Sequence, residues 1–304
     1  MGLRIATNIQ SLKTQRHIGN SSEISDSASE RLSSGYRINK ASDDAAGLAI
    51  SEKLKADIRG LNMSKRNAND GISLVQTAEG SLSEVGNILV RLRELAIQGA
   101  SDTIGGNERE FLNKEFSALK SEISRITLST QHNGTNLLVG NQDRLDPALK
   151  AQANPFPLDI QVGKDYYPTL DNNPTPINII RIDMRKINAS LHEEGLNLGL
   201  GEKEGAYVAD KSGAQGSIDL LDKAINKVSG YRATLGSVQS RLNSTIQNLS
   251  ISSENASAAN SRIRDADMAE EASRSIQGNI IKQAGIAVLA QANQSGSAVL
   301  RLLG

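Results

Sequence analysis

The sequence predicts a mainly α-helical fold. Terminal helices pair as a coiled coil, a long helical bundle follows, and a small β-hairpin sits beside a short variable insert. Two long stretches carry this prediction. Residues 42–99 and 216–263 place apolar side chains at alternating steps of three and four, without proline. The first seam runs Leu54, Ile58, Leu61, Ala68, Ile72, Val75, Leu82 and Leu89. The second runs Ile218, Leu221, Ile225, Val228, Leu235, Leu242, Ile246, Leu249, Ala256 and Ile263. A repeat near 3.5 residues gives a helix one narrow apolar stripe, which it must bury on another helix. The third observation is compositional. Aromatics are only 3% of the 304 residues, so Leu, Ile, Val and Ala must fill the interior, which suits thin helix-on-helix seams. The partners lie at opposite ends of the sequence, which points to a rod whose termini return to one end.

Taken in order, residues 3–33 read as a first helix with Ile5, Ile9 and Leu12 as its stripe, thinning to Ile18, Ile24 and Leu32. So little apolar surface leaves an isolated helix marginal in water. Gly35 suits its C-terminal stop. Ser42 is the N-cap candidate for the next helix, and Asp43 and Asp44 suit the positive end of its dipole. That helix spans about 43 to 99, or roughly 85 Å at about 1.5 Å per residue. Gly60 and Gly71 suggest close approach or a break near Asn69-Asp70-Gly71. Gly105-Gly106-Asn107 reads as a turn. A shorter helix follows with Leu112, Phe116, Leu119, Ile123 and Ile126 on one stripe, and Asn133-Gly134 is a turn signal. All six prolines fall within 141–215, where Leu158–Val162 and Ile177–Ile182 read as strands and further glycines mark loop. The C-terminal helices start near Ser217 and break near Asp265-Ala266-Asp267.

Composition excludes several functions. Formal net charge is zero, so no global field draws the chain to nucleic acid or an anionic membrane. There is no cysteine, which removes disulfides and thiolate metal sites. No run reaches the length of a membrane span. The start lacks a charged region followed by an apolar core, so export is expected without a cleaved signal peptide. The histidines are His17, His132 and His192. His192-Glu193-Glu194 starts like a zinc-protease motif, but Leu196 stands where the second ligand belongs. No metal, cofactor or catalytic residue is expected. Arg31, Arg37 and Lys40 before Asp43 and Asp44 read as a salt-linked turn.

The block Arg31-Leu-Ser-Ser-Gly-Tyr-Arg-Ile-Asn-Lys-Ala-Ser-Asp-Asp-Ala-Ala-Gly-Leu-Ala-Ile-Ser51 closely resembles the N-terminal signature of bacterial flagellins. The resemblance continues through Ile58–Leu61, Arg66–Leu74, Gln76–Gly80 and Arg93–Gln98. It resumes at Ser261–Asp267, Gln283–Gly285 and Leu289–Gln294, and Ile160–Gly163 resembles a flagellin strand motif. Ser295-Gly-Ser297 departs from the Pro-Gln pair that many flagellins carry. The resemblance implies an inner domain, D0, built from 1–42 and 264–304. It implies a bundle, D1, built from 43–140 and 206–263, with the hairpin and variable insert at 141–205.

The function so implied is a structural subunit that polymerises into the flagellar filament for swimming motility, outside the cell. The alternative is a hook–filament junction protein with the same terminal helices. An enzyme or adhesin displayed by the insert and an intracellular coiled-coil scaffold are further readings from other classes. Expected partners are the chain itself, an export chaperone, the filament cap, hook–filament junction proteins and, in a host, Toll-like receptor 5. The chaperone is expected on Ile276, Ile280, Leu289, Leu300 and Leu303, in a C-terminal stretch apolar on more than one face. The resemblance marks Arg91, Leu95 and Glu115 as a subunit and receptor contact face.

Overall fold

The computed structural model describes residues 8–140, 157–165, 178–191, 195–199 and 205–303; from 295 onward it describes backbone alone. Five helices and two small antiparallel hairpins make up the described chain. They are α1 (Ile9–Ser34), α2 (Ala45–Gly99), α3 (Gly106–Ser129), β1 (Gln131–His132), β2 (Thr135–Asn136), β3 (Leu158–Gln161), β4 (Ile179–Ile182), α4 (Lys211–Arg264) and α5 (Met268–Leu303). The residues group into two compact units. One comprises the chain up to Ile58 and from Glu254 onward, and the other comprises Arg59–Ser253.

The larger unit is held by a heptad seam. On α2 a buried line runs Ser64, Ala68, Gly71, Val75, Ala78, Leu82, Val85, Leu89, Leu92, Ala96 and Gly99 at steps of four and three, with Leu74 and Leu95 buried beside it. On α4 the buried Leu221, Val228, Leu235, Leu242 and Leu249 recur every seventh residue, with Ala224 and Val238 between them and Ala214 and Ser217 before them. The two helices run antiparallel. Arg93 Nε donates to Asp222 at 2.6 Å and Arg232 Nη2 to Glu79 at 2.9 Å. A side chain at Gly71 would meet Leu242 Cδ1 at 3.5 Å and one at Gly86 would meet Val228 Cγ1 at 3.9 Å. Small residues on α2 against leucines on α4 keep the seam thin and filled.

α3 closes the bundle with Phe116 and Ile123 fully buried and Leu112, Leu119 and Ile126 packed against them, as the stripe predicted. It begins at Gly106, so the expected turn at 105–107 is already its first turn, with Gly105 as N-cap. Asn133 and Gly134, both with positive φ, form the two-residue turn joining β1 to β2. These strands are too short for a period-2 pattern, and the sequence reading missed them. β3 pairs with β4, Leu158 opposite Ile182 and Gln161 opposite Ile179, close to the two expected strands.

Residues 187–191, 195–199 and 205–208, read from the sequence as plain loop where they were assigned at all, contribute to the core. Ile187, Ala189, Leu191, Leu196, Leu198, Ala206 and Val208 are buried with the helices. Buried backbone needs partners, and the helices supply them. Lys120 Nζ donates to Ala206 O at 2.9 Å, Thr127 Oγ1 to Ala189 O at 3.2 Å, and Lys227 Nζ to Gly195 O at 2.7 Å. Val208 N donates to Asn113 Oδ1 at 3.1 Å.

α2 is continuous, without the break considered at 69–71, because the heptad burial outweighs about 1 kcal/mol per glycine. Gly71 is nonetheless a point of close approach: a Cβ there would run into Ile160 Cδ1 of β3. Gly60 is ordinary, with Lys164 Cβ at 3.4 Å. The α2 cap is Asp44 rather than Ser42. Its carbonyl accepts from Leu48 N at 3.0 Å and its carboxylate from Gly47 N at 2.8 Å, the N-cap geometry.

Candidate functional site

The smaller unit pairs α1 with α5, and its seam inverts ordinary amphipathicity. Ser11, Ser21, Ser25 and Ala28 are the buried residues of α1, with Thr14 and Ile18 half-buried between them. Against them α5 sets Glu271, Gly278 and Gly285 at seven-residue intervals, with Lys282 and Leu289 half-buried. A Cβ at Gly278 would stand 3.2 Å from Ser21 O and 3.0 Å from Ser25 Cβ, so backbone packs nearly on backbone. Polar bonds fix the register. Arg31 Nη1 meets Glu271 Oε1 at 3.1 Å, Ser25 Oγ donates to Asn279 Oδ1 at 3.2 Å, and Asn8 Nδ2 donates to Ala292 O at 2.9 Å.

The large apolar side chains point the other way. Ile9, Leu12 and Ile24 on α1 are exposed, as are Ile276, Ile280, Ile281, Ile286 and Val288 on α5. The stripe Ile9–Leu12 expected to bury against a partner helix therefore lies outside the α1–α5 seam. Successive α5 residues rotate by about 100°, so Ile276 with Ile280 and Ile281 with Val288 form separate faces. Among the described residues no other part of the chain covers them.

A clasp joins α1, α2, α4 and α5 within this unit. Gly35 ends α1 in the left-handed conformation, its N–H donating to Arg31 O at 2.8 Å, as anticipated. Arg37 N donates to Arg264 O at 2.7 Å, and Ala266 N to Gly35 O at 3.0 Å. The Arg264 guanidinium lies 4.7 Å from the Tyr36 ring centre and reaches Glu52 at 2.6 Å, which holds the Glu52 carboxyl below its usual range. Asp43 accepts from Lys40 N and Asn39 N, both at 3.0 Å, and its carboxyl is lowered for that reason. The 31–44 segment is thus a salt-linked turn, but Arg31 pairs across to Glu271 and Lys40 pairs back to Glu30. Asp267 caps α5 by accepting from Ala269 N and Glu270 N, placing the helix break where the sequence put it.

The other expected positions fall as follows. Arg91 lies exposed on α2 and bonds Glu115 of α3 at 2.8 Å and Glu94 at 3.1 Å; Glu115 first, then Glu94, raises its pKa further. Leu95 does not share that surface. It is 1% exposed, inside the core. Four residues advance a helix by about 40°, enough to carry Leu95 into the stripe of Leu92 and Ala96 while Arg91 stays at its edge. Ile276 and Ile280 are each 61% exposed, whereas Leu289 faces the seam. The side chains of Leu300 and Leu303, and His192, lie outside the described residues. Among the described residues no group of His, Asp and Glu could hold a metal, and no helix is long and apolar enough to cross a membrane.

Two termini joined by a polar seam, with apolar faces left outward, define a subunit of a self-assembling helical protein. Residues 5–143 match the family model of the bacterial flagellin N-terminal helical region, and 218–303 match that of the C-terminal helical region. The chain is similar to the flagellin of Bacillus subtilis, 43% identical across 99% of this chain and all of that one. It is similar to the flagellin of Halalkalibacterium halodurans, 42% identical across 97% and 98%. A solved Vibrio parahaemolyticus protein described as flagellar hook-associated, 15% identical with a TM-score of 0.56, covers 73% of this chain and all of that one and shares the fold alone. The chain belongs to the bacterial flagellin family. It is a structural subunit that polymerises into the flagellar filament of swimming bacteria, and the filament its relatives build is extracellular.

Proposed function

We propose that the chain acts without catalysis, and that the outward faces of α1 and α5 are the surfaces it gives to neighbouring subunits. The single observation supporting this is the inverted seam: serines and glycines inside, isoleucines outside. Burying a large aliphatic side chain is worth about 1.5–3 kcal/mol, and here that gain is left for other chains. D0 is then 1–42 with 264–304, D1 is 43–140 with 206–263, and 141–205 is hairpin and insert. Before assembly the same α5 face, with Ile276 and Ile280 at its centre and Leu289, Leu300 and Leu303 on the same stretch, is the site of an export chaperone. Outside the cell the chain meets the filament cap and hook–filament junction proteins at the two ends of the polymer. Arg91 and Glu115 present a charged surface over the Leu95 core position, which serves neighbouring subunits and, in a host, Toll-like receptor 5.

The test is seeded assembly followed by limited proteolysis. Both termini should be trimmed rapidly from the monomer and resist trimming in the filament. Equal protection in the two states would remove the assembly role of α1 and α5.

A further inference from the structure

One aromatic side chain sits where the fold has no use for it. Phe111 on α3 is 68% exposed, the highest value among the large apolar side chains of the described residues. The chain holds only three phenylalanines and no tryptophan. Beside it Glu108 and Glu110 are exposed and have no hydrogen-bonding or ionic partner among the described residues. Lys114 Nζ lies 5.6 Å from the Phe111 ring centre. This knob lies beside the C-terminal end of α2, since Arg109 Nε donates to Gly99 O at 2.9 Å.

Elsewhere in the same unit is a groove of about 1010 Å³ between the β3–β4 hairpin and α4, with Leu61 of α2 on its wall. Its floor is aliphatic, from Val162, Ile179 and Leu249. Its rim is basic and hydroxylic. The Arg241 guanidinium has no hydrogen-bonding or ionic partner among the described residues, its carbonyl alone accepting from Thr245 Oγ1 at 2.9 Å, and Ser244 offers an uncommitted hydroxyl beside it. Asp165 is the one acid among the lining residues. From Leu61 to Gly99 is about 57 Å along α2 at about 1.5 Å per residue, so knob and groove stand at opposite ends of one unit.

We propose that the groove receives the Phe111 knob of a second copy of this chain. The ring takes the aliphatic floor, Glu108 and Glu110 meet Arg241, and Lys114 meets Asp165. An aromatic anchor in a pocket with opposed charges at its rim is the pattern of a specific contact. Because knob and groove are different surfaces at opposite ends, the contact is heterologous and propagates without closing. The proposal rests on the filament reading and supplies it with one axial contact.

The chain's lack of cysteine provides the test. Filaments grown from a variant carrying both Phe111→Cys and Ser244→Cys are mildly oxidised and then dissociated. A ladder of covalent oligomers is expected, with neither single variant going beyond a dimer. Filaments of the double variant without a ladder overturn the contact. If the wild-type chain forms no filaments on seeds, the filament reading itself has failed. Should the double variant not assemble, charge exchange decides. Arg241→Glu should slow elongation on seeds about tenfold, and adding Glu108→Lys and Glu110→Lys should restore most of the rate with the monomer's circular dichroism unchanged. No restoration overturns the proposal.

Discussion

Gly278 and Gly236 both lie inside continuous helices, and they have opposite prospects. Nothing lies within 4 Å of a Cβ built at Gly236, so only the entropy of a flexible residue is at stake there. Gly236→Ala should stabilise the monomer by about 0.5–1 kcal/mol, read from its denaturation midpoint. At Gly278 the neighbours are Ser21 O and Ser25 N, which are backbone and cannot swing aside. Gly278→Leu should force α1 and α5 apart and lower the temperature at which filaments dissociate. An unchanged dissociation temperature would mean that the seam is not tight in the filament. Arg91 and Leu95 make a second contrasting pair. Leu95→Ala should cost about 2–5 kcal/mol of monomer stability as a core truncation. Arg91→Asp should leave monomer melting in place while impairing polymerisation and receptor signalling. Wild-type filaments and signalling from Arg91→Asp would remove that face from the list of contacts. The sequence could not separate these two residues. They sit one turn apart, and the boundary of the buried stripe passes between them.

At the scale of elements, the heptads of α2 and α4 were legible because apolar side chains mark them. Leu82, Leu89, Leu221, Val228, Leu235 and Leu242 are buried where the spacing put them. The same logic misread α1. Pattern reading equates buried with apolar, and the α1–α5 seam is built from Ser11, Ser21, Ser25, Gly278 and Gly285 instead. The signal was present, since Glu271, Gly278 and Gly285 repeat every seven residues, but small residues lack the contrast that makes a stripe visible. The core segments 187–191, 195–199 and 205–208 were illegible for another reason. Their carbonyls at Ala206, Ala189 and Gly195 are satisfied by side chains of distant helices, Lys120, Thr127 and Lys227, so they have no period of their own. For α5 the outward isoleucines lead to one expectation. Truncating the chain after Ser275 should abolish export-chaperone binding in a pull-down or by calorimetry, and unchanged affinity would place the chaperone elsewhere.

At the scale of the molecule, the chain divides its binding energy between two uses. The larger unit commits most of its apolar side chains to its own core, where leucines of α2 and α4 are buried. The terminal unit does not, because its apolar faces look away from its own seam in several directions. Two subunits meeting in solution can cover one such face each. A subunit arriving at an existing filament end can cover several together, against several neighbours. The free energy of the first encounters is therefore unfavourable and that of later additions favourable, which is the condition for a nucleation barrier. Growth is confined to a tip already present, and a pool of free subunits persists as monomers until a tip is supplied.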